Sequence, residues 1–170
     1  YFDTRAVDAL IAMLNGAREA GFYPRVYVGY RSYVNQASQY QSQVNKFVNN
    51  GYSQLDAEKA AAEISAAPGT SEHQTGLSMD VSTPSIANAL DSRFASTAEG
   101  KWLAKNAHKY GFVIRYPKGK SKITGYNYEP WHIRYVGLDV AKYLYENSLT
   151  LEEYYNVSMN KENKDWRNDL

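Results

Sequence analysis

The stretch Ser71-Glu72-His73-Gln74-Thr75-Gly76-Leu77-Ser78-Met79-Asp80-Val81 decides how the rest of the chain is read. Its polar first half, ending at Gly76, reads as a loop, and Leu77 to Val81 as a short strand bounded by Pro84. Upstream, residues 4 to about 20 set Ala6, Leu10, Met13, Leu14 and Ala17 at helical spacing, with Gly21 as the stop. Arg25 to Gly29 is a strand candidate leading into the turn Tyr30-Arg31-Ser32. Residues 33 to about 49 carry a stripe of Val34, Ala37, Tyr40, Val44 and Phe47 or Val48, which predicts a second helix. Ser53 with Asp56 resembles a capping box opening an Ala-rich helix over 57–67, which Pro68-Gly69 ends.

Downstream, Ser96 and Glu99 form another candidate cap before a helix carrying Trp102, Leu103 and Ala107, closed by Gly111. Phe112 to Ile114 and Trp131 to Val136 are strand candidates on either side of a turn region at 117–127. A helix from Gly137 to about Asn147 follows, and Thr150 with Glu153 caps a last short one. Helices first, then short strands mixed with helices, predict an α+β domain with a small, mostly antiparallel sheet flanked by helices. The 170 residues fit one such domain, and the 44% apolar content is enough for a core without disulfides. A net charge of +1 gives no polyanion-binding signal, so no nucleic-acid partner is expected. No apolar run approaches the roughly 18 residues of a membrane span. With no cysteine present, thiol nucleophiles and Cys-type zinc sites are excluded, and any metal must sit on His and carboxylates.

Three histidines narrow the search. The seven-residue gap from His73 to Asp80 lets a loop imidazole and a strand carboxylate face one point, with Gly76 allowing the turn between them. Alone, the pair reads equally as a His–Asp hydrogen bond or a solvent-facing strand end. Glu129 and His132 are three apart, so on a regular strand they face opposite ways unless Pro130 breaks the alternation. Alone, they read as polar neighbours of a core Trp131. Together, two imidazoles and a carboxylate are a standard catalytic zinc set, with a spare glutamate to take a proton from water. The zinc-protease helix motif His-Glu-x-x-His is absent. His108 reads as a helix-end residue, and Lys118, Lys120 and Lys122 as a solvated turn. Ser158-x-x-Lys161 reads as a chance match to a penicillin-binding motif, and Asn156-Val157-Ser158 as a formal sequon. The 16 tyrosines could line a glycan or peptide groove, though most are expected to pack with their hydroxyls at the rim.

Ser71-x-His73-x-x-Gly76-x-x-x-Asp80 followed by Glu129-x-x-His132 resembles the signature of VanY-type zinc D-alanyl carboxypeptidases, part of the LAS group of peptidoglycan metallopeptidases. Gly29-Tyr30-Arg31-Ser32-Tyr33 with Gln36, the run Gly69 to Leu77, Tyr110 to Pro117 and Tyr128 to Gly137 are similar to the same family, over roughly residues 4–155. The resemblance implies a zinc site in a cleft on the sheet, with His73, Asp80 and His132 as ligands and Glu129 as general base. It implies that Arg31 faces the scissile group and that Gln36 and Ser71 contact the substrate's C-terminal residue.

The implied activity is removal of the C-terminal D-alanine from peptidoglycan stem peptides, by a D,D- or the closely related L,D-carboxypeptidase. The alternatives are an endopeptidase or endolysin of the same fold, and a non-catalytic wall-binding module. The expected arrangement is a catalytic domain over 1–157, a polar tail over 158–170, and a monomer with one Zn2+. The expected setting is the outside or envelope of a bacterium, reached by export or an anchor not contained in this stretch.

Overall fold

The structure, a computed structural model, describes residues 1–155. The proposed tail, the sequon and the Ser158–Lys161 motif lie outside these residues. Among them, four strands form one antiparallel sheet in the order β1-β2-β4-β3: β1 Arg25–Val28, β2 Ser78–Ser82, β3 Phe112–Tyr116 and β4 Glu129–Tyr135. The helices are α1 Thr4–Glu19, α2 Tyr33–Asn49, α3 Gln54–Ala62, α4 Ala98–Asn106, α5 Ser121–Thr124, α6 Leu138–Glu146 and α7 Leu151–Tyr154. The expected α+β class and antiparallel sheet are therefore present.

Strand alternation sorts the sheet into two faces. Met79 and Val81 of β2, Ile133 of β4, and Phe112 and Ile114 of β3 pack with Leu10 and Met13 of α1 and Leu103 of α4 in the main core. The intervening residues Ser78, Asp80, His132 and Arg134 belong to the opposite face, where the registers Ser78 to Arg134 and Asp80 to His132 set them side by side. Every residue of β2 is buried, so this second face is also covered. Its cover is polar at the centre and flanked by the α2–α3 hairpin, which holds a small core of Val44, Ala57 and Ala61.

Several boundaries differ from the sequence expectations for physical reasons. In α2 the buried positions are Val44 and Gln36, while Val34 is exposed, because the glutamine amide is used inward. The Ala-rich helix stops at Ala62, before 67, where Ser65 and the Ala66 carbonyl turn inward to bond Gln36. The cap of α4 is Thr97, one residue later than Ser96, and its side chain accepts from the Gly100 N–H. The turn at 117–127 contains the short α5, and Lys120 pairs with Glu153 at 2.8 Å rather than standing free in solvent. Thr150 and Glu153 form the expected reciprocal capping box on α7.

Gly100 shows how tightly α4 meets the core. A Cβ there would lie 1.9 Å from the Phe94 carbonyl oxygen, and Phe94 is fully buried. Alanine in a helix ordinarily improves on glycine by about 1 kcal/mol. Here Gly100→Ala is expected to lose about 1–3 kcal/mol through overpacking, lowering the Tm by several degrees in a thermal melt. A Tm at or above that of the parent would contradict the close approach.

Candidate metal centre

Three backbone segments converge on the polar face of the sheet. The first is a 3-10 turn over Glu72–Thr75 that carries His73 and ends at Gly76 in the left-handed region, φ 69°. A Cβ on Gly76 would meet the Asp3 backbone nitrogen at 2.9 Å, and that N–H donates to the Gly76 carbonyl. A glycine is therefore needed both for the conformation and for the space. The second segment is β2, which carries Asp80, and the third is β4, which carries His132 directly opposite.

His73, Asp80 and His132 are all buried, and each offers a donor atom within 4.8 Å of the others. His73 Nδ1 lies 2.9 Å from the Gly29 carbonyl, so it holds the proton of that bond and leaves Nε2 as the lone-pair atom, 3.4 Å from Asp80 Oδ2. His132 Nδ1 lies 2.9 Å from Asp80 Oδ1, while its Nε2 is buried without a hydrogen-bond partner and faces Glu72 Oε2 at 3.6 Å. Burial opposes charge on this imidazole, but the Asp80 and Glu72 carboxylates outweigh it and hold its pKa up to about 9. Burial likewise works to raise Asp80, and its two histidine partners hold it well below the usual carboxylate range. Two imidazoles and a carboxylate, drawn together and shielded from water, fit a zinc ion, which competes with protons for such donors.

Glu129 reaches this place through a break in the strand. Ile114 pairs with Ile133 and Tyr116 with Glu129, so two steps along β3 match four along β4. This bulge, at the proline that offers no N–H, disrupts the alternation that would separate residues three apart. Glu129 and His132 consequently line one cleft of ≈ 440 Å³. Burial pushes the Glu129 carboxyl up to about 7, a value matched to taking a proton at neutral pH. Beside a bound cation the same carboxyl ionises at lower pH.

Arg31, Gln36 and Ser71 line the same cleft. The Arg31 backbone N–H donates to the His73 carbonyl, and its Nη1 donates to Gln36 Oε1 at 2.8 Å. The guanidinium is thus held by a neutral amide rather than by a carboxylate. Gln36 is fully buried, and its Nε2 donates to Ser65 Oγ and the Ala66 carbonyl. Gln36 thus lines the cleft beside Arg31 with its amide anchored on protein partners. Ser71 is buried at the mouth of the 3-10 turn, with a hydroxyl that caps no backbone group. His108 stands apart from all this, stacked on Tyr145 at 3.6 Å.

Sequence reasoning missed the groups behind the three donors. Glu72, one residue before His73, accepts from Ser78 Oγ at 3.0 Å and from Arg115 Nε at 2.7 Å. Tyr116 stacks on the His132 ring at 5.1 Å. Glu72 and Arg115 lay within the quoted motifs, but their partners are 43 residues apart, and no spacing rule links them.

Residues 1–138 match the family described as VanY, D-alanyl-D-alanine carboxypeptidase. The protein YodJ of Bacillus subtilis (strain 168) is 48% identical over 155 residues, covering 91% of this chain and 54% of its own length. The chain spans about half the length of the curated relatives it matches. Among solved structures, the LdcB LD-carboxypeptidase superposes with a TM-score of 0.82 at 46% identity, covering 94% of this chain and 71% of that one. A vancomycin-resistance D,D-pentapeptidase VanY, in complex with Zn(II), gives 0.80 at 38% identity, covering 91% and 84%.

Proposed function

The chain belongs to the VanY family of D-alanyl-D-alanine carboxypeptidases, and on that premise we propose that it removes the C-terminal D-alanine from peptidoglycan stem peptides with one zinc ion. The observation that carries this reading is the buried set His73, Asp80 and His132, with Glu129 and Arg31 on the walls of the same cleft. When bound, zinc supplies a Lewis acid that polarises the scissile carbonyl and lowers the pKa of water to about 7. Glu129 takes a proton from the attacking water and delivers it to the amide nitrogen as the C–N bond breaks, releasing D-alanine and a shortened peptide carboxylate. Arg31 offers a fixed cation to the oxygen that gains charge as the carbonyl carbon becomes tetrahedral. Gln36 serves through Arg31, and the Ser71 hydroxyl is free to meet the substrate's terminal residue.

Exopeptidase action is part of this proposal, supported by the family's description as carboxypeptidases. Within the family, the 46% identity to LdcB favours tetrapeptide substrates and an L,D-specificity. Mass spectrometry of defined penta-, tetra- and cross-linked muropeptides before and after treatment tests both points. Loss of one alanine from the tetrapeptide alone supports the L,D reading, and from the pentapeptide alone the D,D reading. Cleavage only of cross-links would make the protein an endopeptidase, and no cleavage by zinc-loaded protein would leave a wall-binding module.

We propose a setting outside the bacterial membrane, where such a substrate lies, and a monomeric enzyme. No helix among the described residues is long and apolar enough to cross a membrane. Metal analysis of His132→Ala is expected to show zinc lost from a site that holds one ion per chain in the parent. Full occupancy in that variant would remove His132 from the ligand set.

A further inference from the structure

The polar face of the sheet contains a buried chain of charges that the reaction does not use. Glu72 is only 16% exposed in its side chain, Arg115 10% and Glu152 5%. Arg115 bridges the two acids: its Nε donates to Glu72 Oε1 at 2.7 Å, and its Nη1 and Nη2 donate to the two oxygens of Glu152. Arg134 Nη1 stands 3.5 Å from Glu72 Oε1, and Ser78 Oγ donates to Glu72 Oε2. The oxygen that accepts from Ser78 is the one facing His132 Nε2 at 3.6 Å. Burial works to raise the Glu72 pKa, but His132, Arg115 and Arg134 keep it far below the usual carboxylate range.

Burying three charges is costly unless each is paired, and replacing such a group by well-packed apolar residues is often neutral or stabilising. A stability role alone therefore explains the cluster poorly. Its geometry points at the imidazole. Carboxylates flank both ring nitrogens, Asp80 Oδ1 at Nδ1 and Glu72 Oε2 at Nε2; with Asp80 and Nδ1 turned to a bound zinc, Glu72 would be the carboxylate left to hold the proton on Nε2.

We infer that Glu72 is a positioning residue for His132, and that Glu152 of α7 holds it in place through Arg115, so that the last described helix is a working part of the zinc site. The inference rests on His132 being a zinc ligand. α7 lies beyond residues 1–138, the part the family model matches, and within the 155 residues over which relatives align. It is fastened twice: Glu152 to Arg115 and, next to it, Glu153 to Lys120. The first is the more deeply buried, and only the first leads to His132.

The neighbouring pair provides the control. Zinc affinity is measured on the full chain by competition with a chromophoric chelator, and fold stability by thermal melts of the metal-free protein. Glu72→Gln is expected to weaken zinc binding by about 10- to 100-fold, the usual effect of losing a partner behind a metal-bound histidine. Arg115 keeps Glu152 in that variant while Arg134 loses its carboxylate partner, so the thermal melt is read beside the zinc affinity. Glu152→Gln is expected to weaken zinc in the same direction by less, since Glu72 keeps Arg115. Glu153→Gln is expected to lower the Tm and leave zinc affinity unchanged.

Parent-like zinc affinity in Glu72→Gln overturns the inference while leaving the zinc reading intact. Equal losses of affinity in Glu152→Gln and Glu153→Gln would reduce α7 to a structural brace and overturn its part. A parent protein that binds no zinc would overturn the inference together with the proposed function.

Discussion

Glu129→Ala is expected to keep its zinc and lose hydrolysis by roughly 10²–10⁴-fold, the contribution of a positioned general base. Retention of metal follows from the geometry, since His73, Asp80 and His132 form a complete set of three without Glu129. The loss follows from burial. Glu129 stands on the wall of the cleft that the three donors line, and burial raises its pKa, so it is the carboxyl suited to take up a proton there. Glu72 is tied to Arg115 and Ser78, and Asp80 to both histidines. Zinc content and single-turnover rates on a D-alanine-terminated peptide decide the matter. A variant that lost its metal would make Glu129 a ligand, and one with near-parental rates would remove it from the chemistry.

Arg31→Lys is expected to lower kcat by about 10²-fold or more, in the range of a single oxyanion donor. The main chain of Arg31 is fixed by its N–H on the His73 carbonyl, and the guanidinium by its Nη1 on Gln36 Oε1. Burial pulls its pKa down, yet Asp80 and Glu129 favour the charge, so the cation sits half-buried without a salt bridge to quench it. A lysine ammonium keeps the charge but has neither the planar fork nor the reach to satisfy Gln36 and the substrate together. An interaction made only in the transition state lowers kcat and kcat/KM alike. If Arg31 gripped only the terminal carboxylate, KM would rise while kcat held. Steady-state kinetics with zinc content confirmed separate the two, and unchanged constants would make Arg31 a bystander.

Much of the fold was legible because its signals are local. The helical spacing of Ala6, Leu10, Met13 and Ala17, and the reciprocal cap of Thr150 with Glu153, are written within a few residues of one another. The ligand motif was legible too, because His73 and Asp80 are separated by one turn and half a strand. What stayed hidden depends on distance along the chain. The bulge that turns Glu129 toward His132 is defined by the pairing of β4 with β3, and Pro130 only hinted at it. The anchoring of the Gln36 amide on Ser65 and Ala66, some 30 residues away, is likewise beyond any local pattern. Val34 was placed on the buried stripe of α2 by periodicity, which cannot tell that the inward position belongs to a glutamine. The same limit hid Glu72, Arg115 and Glu152, whose pairings span 43 and 37 residues.

The two-sided sheet has a consequence for how such a protein can change over generations. Met79, Val81 and Ile133 pack into the core from one side, while Asp80 and His132, their immediate neighbours on the same strands, belong to the candidate metal centre on the other. Drift in the apolar set alters robustness with little direct effect on selectivity, because a strand residue does not contact what its neighbour touches. The cleft walls at Glu63–Ala66 and Tyr126–Tyr128 lie outside the strands, so a lineage can try new substrates there without renegotiating its foundation.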